Sequence, residues 1–256
     1  MSVADRFTDE TSTAATALSA MHTLVAGVAP DSTAGTGIQD PGYLAHALSQ
    51  LRYITAEVEF ILHGLHRRVG HAAHHDAYPA TLRDLCTTLA TDLRAAVGHA
   101  HATWRVMSTV ENHGDAIKAA TRGTPATVTT IGDRFAEAVT TAANALGAAH
   151  TILAGLSQRE YGGRAVLNAA ILTQTLSLLR QITATLQALL RVLGRHAQHL
   201  ADNPTRPDMV RERAAALAAD LSVATAAARG MTPGLHRLAA QARDIQDAAR
   251  GITFAL

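Results

Sequence analysis

Fourteen histidines are the first residues in this chain of 256 that could do chemistry. The densest group is His63, His66, His71, His74 and His75, and His63 and His66 share one helical face. Imidazoles that close can bind a transition metal or haem. No Cys or Glu completes a known ligand spacing around them, so His63, His66 and His71 stand as metal candidates without a motif. A carboxylate-bridged di-iron bundle needs Glu-x-x-His on facing helices, and neither Glu57 nor Glu59 begins one. Nucleophile elbows, Walker loops and dinucleotide fingerprints are absent; Gly35, Gly37 and Gly42 precede a helix but follow no strand. Cys86, the one cysteine, occupies an apolar seam and reads as a buried, inert thiol. No catalytic residue and no cofactor are assigned, and the expectation is a non-enzymatic protein.

An internal duplication sorts the remaining polar residues. Asp5 to Val28, DRFTDETSTAATALSAMHTLVAGV, returns without a gap as Asp133 to Leu156, DRFAEAVTTAANALGAAHTILAGL. Thirteen of the 24 aligned positions are identical and eight of those are not alanine, which alanine richness alone does not produce. Polar residues kept in both copies are therefore structural or belong to a paired site. Three such pairs matter most: Arg52 with Arg180, Asp92 with Asp220, and His22 with His150, each pair 128 residues apart. Counting 1.5 Å per residue from the expected ends of the second and third helices puts Arg52 and Asp92 in one layer of an antiparallel pair. The expectation is an Arg52–Asp92 salt bridge and its twin Arg180–Asp220, setting helix register. His22 and His150 each lie one position past an apolar seam, as half-buried flanking residues.

The elements that hold these residues are helices. Phe7, Thr11, Ala14, Leu18, Met21, Val25 and Val28 alternate steps of four and three. The second seam is Leu44, Leu48, Leu51, Thr55, Val58, Leu62, Leu65 and Val69, echoed by Leu172, Leu176, Leu179, Thr183, Leu186, Leu190 and Leu193. Core threonines there can return their hydroxyls to a preceding carbonyl. Pro79 and Pro207 open a third helix with seams from Leu82 to Ala100 and from Val210 to Ala228. A fourth, from about Arg105 to Arg122, follows a turn at Trp104, an aromatic plug matched by Thr232. Arg122-Gly123 and Arg250-Gly251 would close the copies on a left-handed glycine. The spacing thus predicts an all-α protein, a tandem duplication of an antiparallel four-helix bundle unit with eight main helices related by a pseudo-two-fold axis. The units are 1–123 and 133–256, joined by a linker over 124–132 containing TPATVTT. A single intertwined bundle is the structural alternative.

Composition narrows the function classes. Hydrophobic residues make up 48% of the chain and aromatics 4%, so the core is built of Ala, Leu and Val. A formal charge of +1 gives no global field toward nucleic acid or an anionic membrane. The uncharged runs 11–30 and 138–158 carry too many Thr, Ser, Asn, His and Gly to be membrane spans. The opening MSVADRFTDE lacks the basic-then-apolar pattern of a signal peptide, and a lone cysteine fits a reducing cytoplasm. The favoured reading is an interaction or scaffold protein with a protein partner, another copy of itself included. The second is a small-molecule, haem or metal-binding bundle using the clustered histidines. The third, not favoured, is nucleic-acid association through Arg191, Arg195, Arg206, Arg211 and Arg213.

Overall fold

The computed structural model describes residues 3–122, 130–159 and 168–250. Among them the chain forms seven helices and no strand: α1 (Val3–Ala26), α2 (Thr33–Ile38), α3 (Pro41–Ala73), α4 (Ala80–Ala120), α5 (Thr130–Arg159), α6 (Ala169–Asp202) and α7 (Asp208–Ala248). The capping chemistry explains several starts. Ser32 accepts from the Gly35 amide at 3.0 Å to open α2, Asp40 accepts from the Gly42 amide at 2.8 Å to open α3, and Asn168 accepts from Ile171 at 3.0 Å to open α6. Pro41 occupies the first turn of α3, where a missing N–H costs nothing. Pro79 and Pro207 sit one residue before their helices, at the N-caps. The predicted linker and both Arg-Gly closures involve 123–129 and 251, which lie outside the described residues, and Thr130 already belongs to α5.

Expected helices three and four are one continuous helix in each half, which leaves six long helices among the described residues in place of eight; the short α2 makes the seventh. α4 and α7 each run 41 residues, with bounds offset by 128, about 60 Å at 1.5 Å per residue. The reason is that the apolar seam never breaks. Ala100, Thr103, Met107, Val110, Gly114 and Ile117 are all buried, as are Ala228, Met231, Leu235, Leu238, Ala242 and Ile245. Trp104 therefore lies in mid-helix rather than in a turn. Pro233, inside α7, deletes one helical hydrogen bond but does so on the exposed face.

Each of the six long helices packs mainly on two neighbours, in the order α1, α5, α3, α4, α7, α6 and back to α1. The first helix of each copy thus lies against the second helix of the other copy, α1 on α6 and α5 on α3, and like helices meet at α1–α5 and α4–α7. The copies interleave. The seams read from sequence are the core: every residue from Phe7 to Val25, Leu44 to Val69 and Leu172 to Leu193 named above is buried. The core threonines return their hydroxyls as expected, Thr11 to Phe7 O at 2.8 Å, Thr55 to Arg52 O at 2.7 Å and Thr183 to Leu179 O at 2.8 Å. A short α2 helix also packs against α5 and α3. Its Gly35 is pressed so closely on the Ala29 carbonyl that a Cβ would stand 2.2 Å from that oxygen.

Candidate functional site

The arginine and aspartate pairs form a different network from the one expected. Arg52 Nε meets Glu111 Oε2 at 2.5 Å, not Asp92. Arg180 donates to His236 Nδ1 at 3.2 Å, not to Asp220. A guanidinium has only donors, so His236 accepts there and carries its proton on Nε2. The expected register failed because the third helix was ended near Trp104. With α4 continuing to Ala120, the residue opposite Arg52 lies farther along it. Both aspartates instead join α4 to α7. Asp92 accepts from Gln241 Nε2 at 2.8 Å, and Asp220 Oδ2 lies 3.2 Å from His113 Nε2. Positions 113 and 241 are 128 apart, so the two bridges are related by the same repeat.

On the other side of α3 the chain builds a polar layer under an aromatic surface. Glu57, 4% exposed, faces α5, where His150 Nδ1 lies 2.8 Å from its Oε2. Tyr53, one turn earlier, hydrogen-bonds the same carboxylate. Desolvation, then the bond and charge of Glu57, raise the Tyr53 phenol above its ordinary value. The side chain of Tyr53 rests against Gly147 of α5, where a Cβ would come within 2.7 Å of the phenol oxygen. The His150 imidazole stacks flat on Phe60, with centroids 4.9 Å apart and an angle of 6°. Tyr53 and Phe60 are themselves 42% and 51% exposed. With His46 and Arg67, both exposed, they form an outward stripe of α3 at seven-residue intervals.

His150 thus occupies the half-buried flank expected of it, and so does His22. The positions matching Glu57 and Phe60 are Thr185 and Ala188, so His22 has neither the carboxylate nor the ring. Sequence reasoning passed over Glu57 because Thr185 replaces it in the second copy. The signal that could have found it is a second stripe on α3 at seven-residue intervals, Ala47, Ile54, Ile61 and Arg68, all buried and apolar but for the last. A helix with two buried stripes has two neighbours, and Glu57 lies between them. Arg68, also buried, reaches across to the Leu153 carbonyl at 3.3 Å. Its repeat mate is His196, 1% exposed, whose Nδ1 lies 3.5 Å from Gln39 Nε2. Burial, then the charges of Arg195 and His199, lowers this imidazole to about 4.

The metal candidates are placed apart from one another in role. His63 is exposed, with its ring centroid 6.4 Å from that of His66, and His66 Nδ1 bonds the Ala90 carbonyl at 2.9 Å. His66, His71 and His74 line an open groove of about 440 Å³ between α3 and α4, together with Arg67 and Arg94. Among the described residues no group of three or more His, Cys, Asp or Glu is arranged to hold a metal ion. Cys86 is fully buried, and desolvation pushes its thiol up to about 11. Of the arginines in the second copy, Arg191, Arg195 and Arg213 are exposed, while Arg211 is tied to Asp208 in its own helix. No helix among the described residues is long and apolar enough to cross a membrane.

A second groove, of about 980 Å³, runs between α6 and α7 beside Arg180 and His236. No protein-family model matches the chain, and comparisons with curated proteins and with solved structures return no match. The functional reading therefore rests on the residues themselves.

Proposed function

We propose that this chain is a non-enzymatic, cytoplasmic interaction protein, grown from tandem copies spanning 1–123 and 133–256. Its working surface is the outer stripe of α3, and the first partner to test is a second copy of itself. The observation that carries this reading is the exposure of Tyr53 and Phe60, seven residues apart, in a chain with only 4% aromatics. Phe7 and Phe135 show where such rings go when they serve only the core, because both are fully buried. Phe60 is also held flat by His150 and Tyr53 is held by Glu57. Rings already fixed lose little freedom on binding, which is the economy that interface anchors exploit. A formal charge of +1 does little to keep copies apart.

The test is light scattering behind size-exclusion chromatography across a concentration series. The wild-type mass should rise to that of a dimer, and Tyr53→Ser with Phe60→Ser should remain monomeric while keeping the helical circular dichroism of the wild type. A wild-type chain that stays monomeric at high concentration, or a double variant that associates equally well, overturns the reading.

A further inference from the structure

We infer that the groove between α6 and α7 is a binding site for a small aromatic carboxylic acid. It lies on a different pair of helices from the α3 stripe and stands independently of it.

The first copy shows what the second lacks. In the α3–α4 pair, Arg52 is neutralised by Glu111, and Trp104 sits half-buried two turns earlier on the same face of α4. At the matching positions of α7 the glutamate is Ala239 and the tryptophan is Thr232. Tyr53 likewise becomes Gln181. The arginine alone is kept, as Arg180. The result is a groove of about 980 Å³ whose lining includes Gln181, Arg180, Thr232, Pro233, His236 and Arg237 and contains no carboxylate. No carboxylate among the described residues lies within ion-pair distance of Arg180; its one polar side-chain partner is the neutral acceptor of His236. Arg237 reaches Asp92 only at 4.0 Å.

Two further features point to a ligand. The Thr232 hydroxyl, which lines the groove, is buried and has no hydrogen-bond partner among the described residues, as is also true of Thr175 in the core of α6, whereas Thr11, Thr103 and Thr183 return theirs to a carbonyl. A half-buried guanidinium without a counter-charge is also costly, and a carboxylate satisfies its planar fork with two parallel bonds. Glu111 and Trp104 thus outline in the first copy the acid and the ring that the second copy would take from solution. Leu178, Ala184 and Pro233 supply apolar wall for the ring.

The probe is indole-3-acetate, which joins an indole to a carboxylate, titrated into the full chain by isothermal calorimetry. One site per chain is expected. Indole-3-acetamide, of the same shape without the charge, should bind at least tenfold more weakly, and so should indole-3-acetate to Arg180→Gln. Thr232→Trp, which places in α7 the side chain α4 already carries, should abolish binding and raise the melting temperature. The inference falls if indole-3-acetate does not bind the wild type at millimolar concentration. It falls equally if the amide binds as well as the acid, or if either variant, shown by circular dichroism to be folded, binds as the wild type does.

Discussion

Along α3 and α4, Arg52 finds Glu111 with Trp104 two turns earlier on α4; along α6 and α7, Arg180 finds only an imidazole beside Thr232 and Gln181. The apolar seams of the same helices match position for position. The two halves share their buried positions and differ in the charges that pair. A buried leucine is constrained by every neighbour it touches, whereas a flanking acid can be lost once its arginine can reach water. Two buried polar positions differ as well, Arg68 against His196 and Glu57 against Thr185, while the buried threonine pair Thr55 and Thr183 is the same. The aspartates that bridge α4 and α7 are the same in both halves, although the partner of Asp220 is His113 and that of Asp92 is Gln241. They lie where the copies meet each other, so one change there disturbs both.

This contrast can be broken most directly at the core. Phe7→Ala and Phe135→Ala should each cost about 3–5 kcal/mol and should match within about 1 kcal/mol, since both rings are fully buried. Urea denaturation would show it, and a large inequality would mean the copies are alike in pattern but not in energetics.

The next largest effect separates Arg68 from His196. Above about pH 6.5 the His196 imidazole is neutral in both folded and unfolded chains and adds no pH dependence. Below that the unfolded chain binds a proton that the buried ring refuses until about pH 4. Stability should therefore decline through that window, by up to about 3 kcal/mol from this residue. His196→Leu should flatten the difference between urea midpoints at pH 7 and pH 4.5. An unchanged slope would remove His196 as the cause.

Asp92→Ala and Asp220→Ala should cost about 1 kcal/mol each, by loss of one partly screened polar bridge. Their sites lie roughly 30 Å apart along α4, so the double variant should show the plain sum. Coupling beyond about 0.5 kcal/mol would reveal a connection across the interface. The smallest effect is a transplant: Thr185→Glu gives His22 the carboxylate that His150 already has. It should stabilise by less than about 1 kcal/mol, and a thermal melt that falls instead would place His22 away from position 185.

The six long helices were legible because an apolar step of three and four is a local property, repeated many times along each element; α2 (Thr33–Ile38) was not, since its Pro-, Gly- and Ser-rich stretch has the composition of a loop. Leu44 to Val69 left no alternative that would bury the same face. The break placed at Trp104 came from local punctuation, and the uninterrupted seam from Ala100 to Ile117 overrode it. What the sequence determined alone was the helical class, the buried faces and the paired threonines that close on their own helices. Only the tertiary structure decided that Arg52 meets Glu111, that His150 meets Glu57, and that α1 and α5 pack on the opposite copy. A polar partnership across helices depends on register and on which helix is the neighbour. A shift of one turn, or an exchange of one helix, changes every such pair while leaving the apolar seams equally well buried.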